Sequence, residues 1–129
     1  MRKFLTAIVV MILLASTAHA EIKTYSGYGE YVMTDETLDF AKEQAELFAQ
    51  RYVLDKVRVF VKGRSLMIDN ELTDDEVTTI SAGVLHVTDT KFAMDMDEDG
   101  ILIKAFVTAT VDTAELDTLL EQAINERTD

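Results

Sequence analysis

Residues 35–62 read DETLDFAKEQAELFAQRYVLDKVRVFVK, twenty-eight positions with no glycine or proline. Leu38, Ala41, Ala45, Phe48 and Tyr52 recur at three- and four-residue spacing, which puts them on one side of a helix. Asp39, Glu43 and Gln50 fall on the other side. Thr34 or Asp35 can cap the start, with acidic residues in the first turn. The far end, between Leu54 and Lys62, has two readings. Val53, Leu54, Val57, Val59, Phe60 and Val61 surround a helix axis, yet Val57, Val59 and Val61 alternate with Arg58, Phe60 and Lys62 as a strand would. The absence of a breaker before Gly63 favours a continuous helix.

Outward from this helix, the N-terminal side begins with a targeting pattern. Met1-Arg2-Lys3 is basic, Phe4 to Ala15 is almost wholly apolar, and Ala18-His19-Ala20 is a small-x-small cleavage site. This is the form of a secretory signal peptide over residues 1–20, and it predicts cleavage after Ala20. The apolar run is short of the roughly 20 residues that a membrane span needs, so no membrane insertion is expected after cleavage. Thr24 to Met33 then reads as a strand rich in tyrosine, with Gly27 and Gly29 marking a bulge or a close backbone approach. Gly27-Tyr28-Gly29 is no dinucleotide loop, because the third small residue is replaced by Val32.

On the C-terminal side, Gly63 to Glu71 reads as a connector in which Leu66-Met67-Ile68 can lie extended. Thr73-Asp74-Asp75-Glu76 is a capping box that opens a short second helix ending near Gly83. Val84 to Met96 reads as a strand, Asp97-Glu98-Asp99-Gly100 as a turn, and Ile101 to Val111 as a second strand. Ile101, Ile103, Ala105, Val107, Ala109 and Val111 hold strict period two, the clearest strand signal in the chain. Asp112 caps a last helix whose face is Leu116, Leu119, Leu120, Ala123 and Ile124. The expectation is one α+β domain over residues 21–129: a long helix across a small antiparallel sheet, a short second helix and a C-terminal helix.

Charge and composition narrow the function classes. The net charge is −12, and losing Arg2 and Lys3 with the signal segment carries it to about −14. Such a chain repels nucleic acid and anionic lipid, whose binding rests on Lys and Arg contacts to phosphate. The 129 residues include no cysteine, which removes thiol catalysis, cysteine-based zinc sites and lipid attachment to an N-terminal cysteine. His86 is the sole histidine after position 20, so a histidine metal cluster cannot form. A serine triad would have to recruit Ser26, Ser65 or Ser81 without a nucleophile-elbow motif. Carboxylates such as Asp69, Glu71, Asp74, Asp75 and Glu76 are plentiful, as expected of an acidic chain.

The best candidate for chemistry is Asp95-Met96-Asp97-Glu98-Asp99-Gly100, which matches the first half of an EF-hand loop. In that register Phe106 stands where the closing glutamate belongs, and the flanks read as strands. An acidic hairpin turn with Gly100 at positive φ in a three-residue loop is the favoured reading. A weak calcium-responsive turn is the alternative, with at most millimolar affinity, and an unrecognised hydrolase is a further one. No catalytic, cofactor-binding or metal residue is assigned.

Taken together, Gly27-Tyr28-Gly29-Glu30-Tyr31, then Ala41-Lys42 with Ala45 and Ala49, then Leu72-Thr73-Asp74-Asp75-Glu76, then Ser81-Ala82-Gly83, form an ordered pattern. It resembles a family of small bacterial envelope proteins, similar to the N-terminal domain of the flagellar assembly protein T and to related exported lipoproteins. The resemblance implies an α+β domain with a long helix across an antiparallel sheet. It also implies a non-catalytic role in envelope assembly or surface association, in the periplasm or outside the cell. The expected partner is another envelope protein or a second copy.

Overall fold

The computed structural model describes residues 21–68 and 71–128, the last two of these by backbone alone. The signal-peptide reading of residues 1–20 lies outside the described residues. The elements run β1 (Ile22–Met33), α1 (Leu38–Met67), α2 (Asp74–Val84), β2 (Leu85–Asp97), β3 (Gly100–Asp112) and α3 (Thr113–Thr128). The architecture is α+β: three helices and one antiparallel sheet, with the long helix packed on the sheet. The strand order is β1-β3-β2. β3 pairs with β1 through Ile22↔Asp112 to Met33↔Ile101, and with β2 through Leu85↔Val111 to Asp97↔Gly100. β3 takes the centre because its alternation is the strictest. Ile103, Ala105, Val107, Ala109 and Val111 are all buried under the helices, and Ile101 is half-buried at the hairpin end.

The structure corrects the helix in three respects. Its N-cap is Thr37, whose Oγ1 accepts from the Phe40 amide at 3.2 Å, and not Thr34 or Asp35. Those two residues belong to a turn organised by Glu36, whose carboxylate accepts from the Thr34 amide and the Tyr31 hydroxyl, both at 2.9 Å. These hydrogen bonds, the backbone ones first, hold the Glu36 carboxyl below the ordinary carboxylate range.

Second, the buried row is Ala41, Ala45, Ala49, Val53, Val57, Val61 and Ser65, at unbroken four-residue spacing. Phe48 and Tyr52, read as facing the sheet, are 44% and 52% exposed, and Leu38 is also exposed. The reason lies in β1. A methyl placed on Gly27 or Gly29 would run into the Ala49 or Ala45 carbonyl oxygen, so helix backbone rests almost directly on strand backbone. Only alanine fits under the first three turns, and the aromatic side chains are displaced to the flank. Four residues advance a helix by about 40° beyond a full turn, so this row winds by roughly 240° from Ala41 to Ser65. The row therefore starts on the glycines of β1 and ends beside α3.

Third, α1 does not stop at Gly63 but runs to Met67, so the Gly63–Glu71 connector shrinks and Leu66 and Met67 are helical. The site where a Gly63 side chain would stand is open, so glycine costs only about 1 kcal/mol there. The extra turn is fastened by Arg64, whose Nε and Nη2 donate to the two carboxylate oxygens of Asp117 at 2.6 and 2.8 Å. Helix, not strand, is thus the state of Val57, Val59 and Val61, with Val59 75% exposed.

The caps of α2 and α3 match their signals. The capping box at Thr73 is complete, with the Glu76 carboxylate accepting from the Thr73 amide and Thr73 Oγ1 accepting from the Glu76 amide. Asp112 Oδ1 accepts from the Ala114 amide at 2.9 Å, and Leu116 and Leu120 of α3 are fully buried. Val84 closes α2 and does not open β2. The hairpin loop has two residues, Glu98 and Asp99, and not three. Gly100 follows at φ +153, where a side chain would also strike the Met33 carbonyl.

Candidate functional site: the two edges of the sheet

A three-stranded open sheet has two edges, and an edge strand exposes unpaired backbone N–H and C=O groups. β1 is covered on its inner face, and one of its outward carbonyls is engaged. α1 lies over β1 and β3, and its flank hangs aromatic side chains beside β1. Phe40 meets Tyr31 edge-on with centroids 5.9 Å apart, and Phe60 meets Tyr25 at 6.5 Å. Lys56 Nζ donates to the Ser26 carbonyl oxygen at 2.9 Å and sits over the Tyr52 ring, while Lys23 sits over Phe60. A carbonyl on this strand therefore already has a partner.

The β2 edge is bare. α1 barely reaches β2, with Lys42 above Phe92 as the reach of its side chains. Besides the half-buried Leu85 and Thr90, the side chains that β2 sends to the helix-covered face are Val87, Phe92, Met94 and Met96, paired in register with inward residues of β3. They are 44%, 38%, 60% and 80% exposed. Asp89, Lys91, Ala93 and Asp95 share the opposite face with Thr108, Phe106, Lys104 and Leu102. The closing pair Asp97–Gly100 of a two-residue hairpin exchanges hydrogen bonds, and hydrogen-bonded and open pairs then alternate. It follows that Thr90, Phe92, Met94 and Met96 turn their amides and carbonyls to the open side. A bulge between Val87 and Asp89 breaks the ladder and marks the near limit of this free edge.

The residues singled out from sequence are dispersed. Asp95 and Asp97 stand on one face of β2 and Asp99 in the turn. Asp95 Oδ1 accepts from the Met96 amide at 2.9 Å, and its Oδ2 is 3.6 Å from Lys104 Nζ. Asp97 Oδ1 accepts from the Glu98 amide at 2.6 Å. Phe106 lies on the uncovered sheet face, 5.1 Å from the Tyr28 ring. The Tyr28 hydroxyl donates to Glu30. Desolvation, then that bond and the carboxylate charge, pushes the Tyr28 pKa up to about 12. Among the described residues no group of three or more His, Asp or Glu side chains is arranged to hold a metal ion.

His86 Nε2 lies 3.1 Å from Glu115 Oε2, tying the start of β2 to α3. Ser26, Ser65 and Ser81 sit on β1, α1 and α2, and the Ser81 hydroxyl donates to the Val77 carbonyl at 2.6 Å. Grooves line the α2–α3 and α1–α3 junctions, the latter with Arg64 and Asp117 on its wall. The guanidinium beside Asp117 holds its carboxyl below the ordinary range, which suits an ion pair and opposes service as a general acid. Among the described residues no helix is long and apolar enough to cross a membrane.

The apolar row of β2 was not among the residues singled out from sequence, although a signal for it exists. Thr90, Phe92, Met94 and Met96 alternate with Lys91, Ala93, Asp95 and Asp97, which identifies a two-faced strand. Nothing in that alternation says that the apolar face lacks a cover. No protein-family model matches the chain, and no curated protein matches it at a significant level.

Proposed function

We propose that this chain is a non-enzymatic, exported envelope protein that works as an interaction or assembly module, with the β2 edge as its contact surface. The observation that carries this reading is the bare edge: free backbone groups beside four exposed apolar side chains on one strand. Exposed apolar surface of this kind marks interaction sites, and strand addition supplies backbone hydrogen bonds to any partner with an extended segment. The basic, apolar and small-x-small order of residues 1–20 supports export. The resemblance to envelope assembly proteins supports the same setting.

The test is a photo-crosslinking amino acid in place of Met94, in cells producing the full chain, with Val59 as an exposed control on α1. Protein adducts at 94 and none at 59 are the expected result. Equal labelling at both positions, or none at either, would sink the reading.

A further inference from the structure

We propose that the occupant of the β2 edge is the β2 edge of a second copy, paired antiparallel about Met94, giving one continuous six-stranded sheet. This rests on the interaction reading above and names its partner.

The register follows from three constraints. The open-side backbone groups belong to Thr90, Phe92, Met94 and Met96, so even positions must face even positions. The bulge before Asp89 and the turn after Asp97 confine the pairing to the segment between them. The charges then choose the centre. A twofold through Ala93 sets Lys91 opposite the second copy's Asp95, but it also sets Asp89 opposite Asp97, a like-charge pair at each end that offsets the gain. A twofold through Met94 sets Lys91 opposite Asp97, and Asp97 opposite Lys91, with Ala93 facing Asp95. No like charges face each other within 91–97 in that register.

The same register matches the apolar row to itself. Met94 meets Met94, and Phe92 meets Met96 on both sides of the axis. Phe92 and Met96 are aromatic and thioether partners, a favourable contact. Residues directly opposite share a sheet face, so both copies place α1 on the same side. The row Phe92-Met94-Met96, left uncovered by its own helix, then packs side by side with its counterpart. About six backbone hydrogen bonds form across the axis, two of them once each Met96 amide exchanges Asp95 Oδ1 for the Phe92 carbonyl of the other copy. The chain has no proline, and β2 has no glycine, to interrupt them.

Sedimentation of the purified protein over a concentration series tests this, with circular dichroism confirming that each variant is folded. All positions changed are exposed. Wild type should show a reversible monomer–dimer equilibrium. Lys91→Asp or Asp97→Lys alone opposes like charges at both ends and should weaken the dimer by at least about tenfold. The double variant Lys91→Asp with Asp97→Lys restores opposite charges and should recover the wild-type constant to within about threefold. Met94→Cys, in a chain otherwise free of cysteine, should oxidise to a covalent dimer, since hydrogen-bonded pairs hold Cα atoms about 5.5 Å apart, within disulfide reach.

A monomer at every concentration, or a double variant as weak as the singles, overturns the proposed pairing. A monomer that still gives adducts to other proteins at position 94 overturns self-pairing and leaves the interaction reading standing. Absence of both self-association and adducts overturns the two together.

Discussion

β1 and β2 flank the same central strand, and the protein treats them in opposite ways. β1 carries Gly27 and Gly29, which let α1 settle onto its backbone, and Lys56 reaches over to the Ser26 carbonyl. β2 carries Thr90 and Phe92 at the positions that share Val107 and Ala105 with those glycines, followed by Met94 and Met96. Large side chains there hold a helix off, and α1 is already committed to β1. The glycines thus decide which edge is protected. The asymmetry teaches that exposure on β2 is the counterpart of close packing on β1, since one helix cannot lie against both outer strands.

The largest perturbation of this contrast is Ala45→Glu. Ala45 is fully buried where α1 meets Gly29. An uncompensated buried charge costs about 3–5 kcal/mol, against a total stability of about 5–15 kcal/mol. The variant should be largely unfolded or molten in a urea melt followed by circular dichroism, and a wild-type midpoint would refute the contact. Glu43→Ala, exposed on α1, should shift stability by no more than about 0.5 kcal/mol.

Gly29→Val comes next. Its side chain would collide with the Ala45 carbonyl, the Ala49 amide and the Phe48 Cβ. Lifting α1 from β1 should cost about 1–3 kcal/mol in the same melt. The same change should speed amide exchange along β1 toward the rates of the free β2 edge. Unchanged exchange would mean that helix contact is not what protects β1.

Asp117→Asn probes the clamp that ends α1 against α3. Both partners are partly exposed, so the loss should be about 1 kcal/mol or less. The sign with pH is fixed. The folded Asp117 carboxyl is held below its ordinary 3.8 by the Arg64 bond, so its contribution is whole above that value and fades as pH falls through the folded pKa. Wild type and variant should therefore differ at pH 7 and converge below about pH 4. A constant difference down to acid pH would assign the effect to packing instead.

The smallest effect is expected at the edges themselves. Lys56→Met frees the Ser26 carbonyl, and Met94→Glu places a charge on the bare strand. Each should alter stability by no more than about 0.5 kcal/mol. They should part in association: Lys56→Met leaves adducts at position 94 unchanged, and Met94→Glu lowers self-association in the centrifuge. Equal behaviour of the two would erase the functional difference between the edges.

Local chemistry alone determined much of this protein. The Thr73–Glu76 box, the Asp112 cap, the position of the hairpin turn and the alternation of Ile101 to Val111 each depend on residues a few positions apart, and all were legible in sequence. So was the α+β class, because helix and strand periods follow from backbone geometry. The face of α1 was not legible. Its apolar residues offer two rows, and the choice of Ala49 over Phe48 was made by Gly27 and Gly29, some twenty residues away. The end of α1 was likewise set by Arg64 meeting Asp117 across fifty-three positions. The alternation over 90–97 holds the information on which side of β2 is apolar, but whether a cover lies over that side depends on where a rigid helix comes to rest, and only tertiary packing decides that.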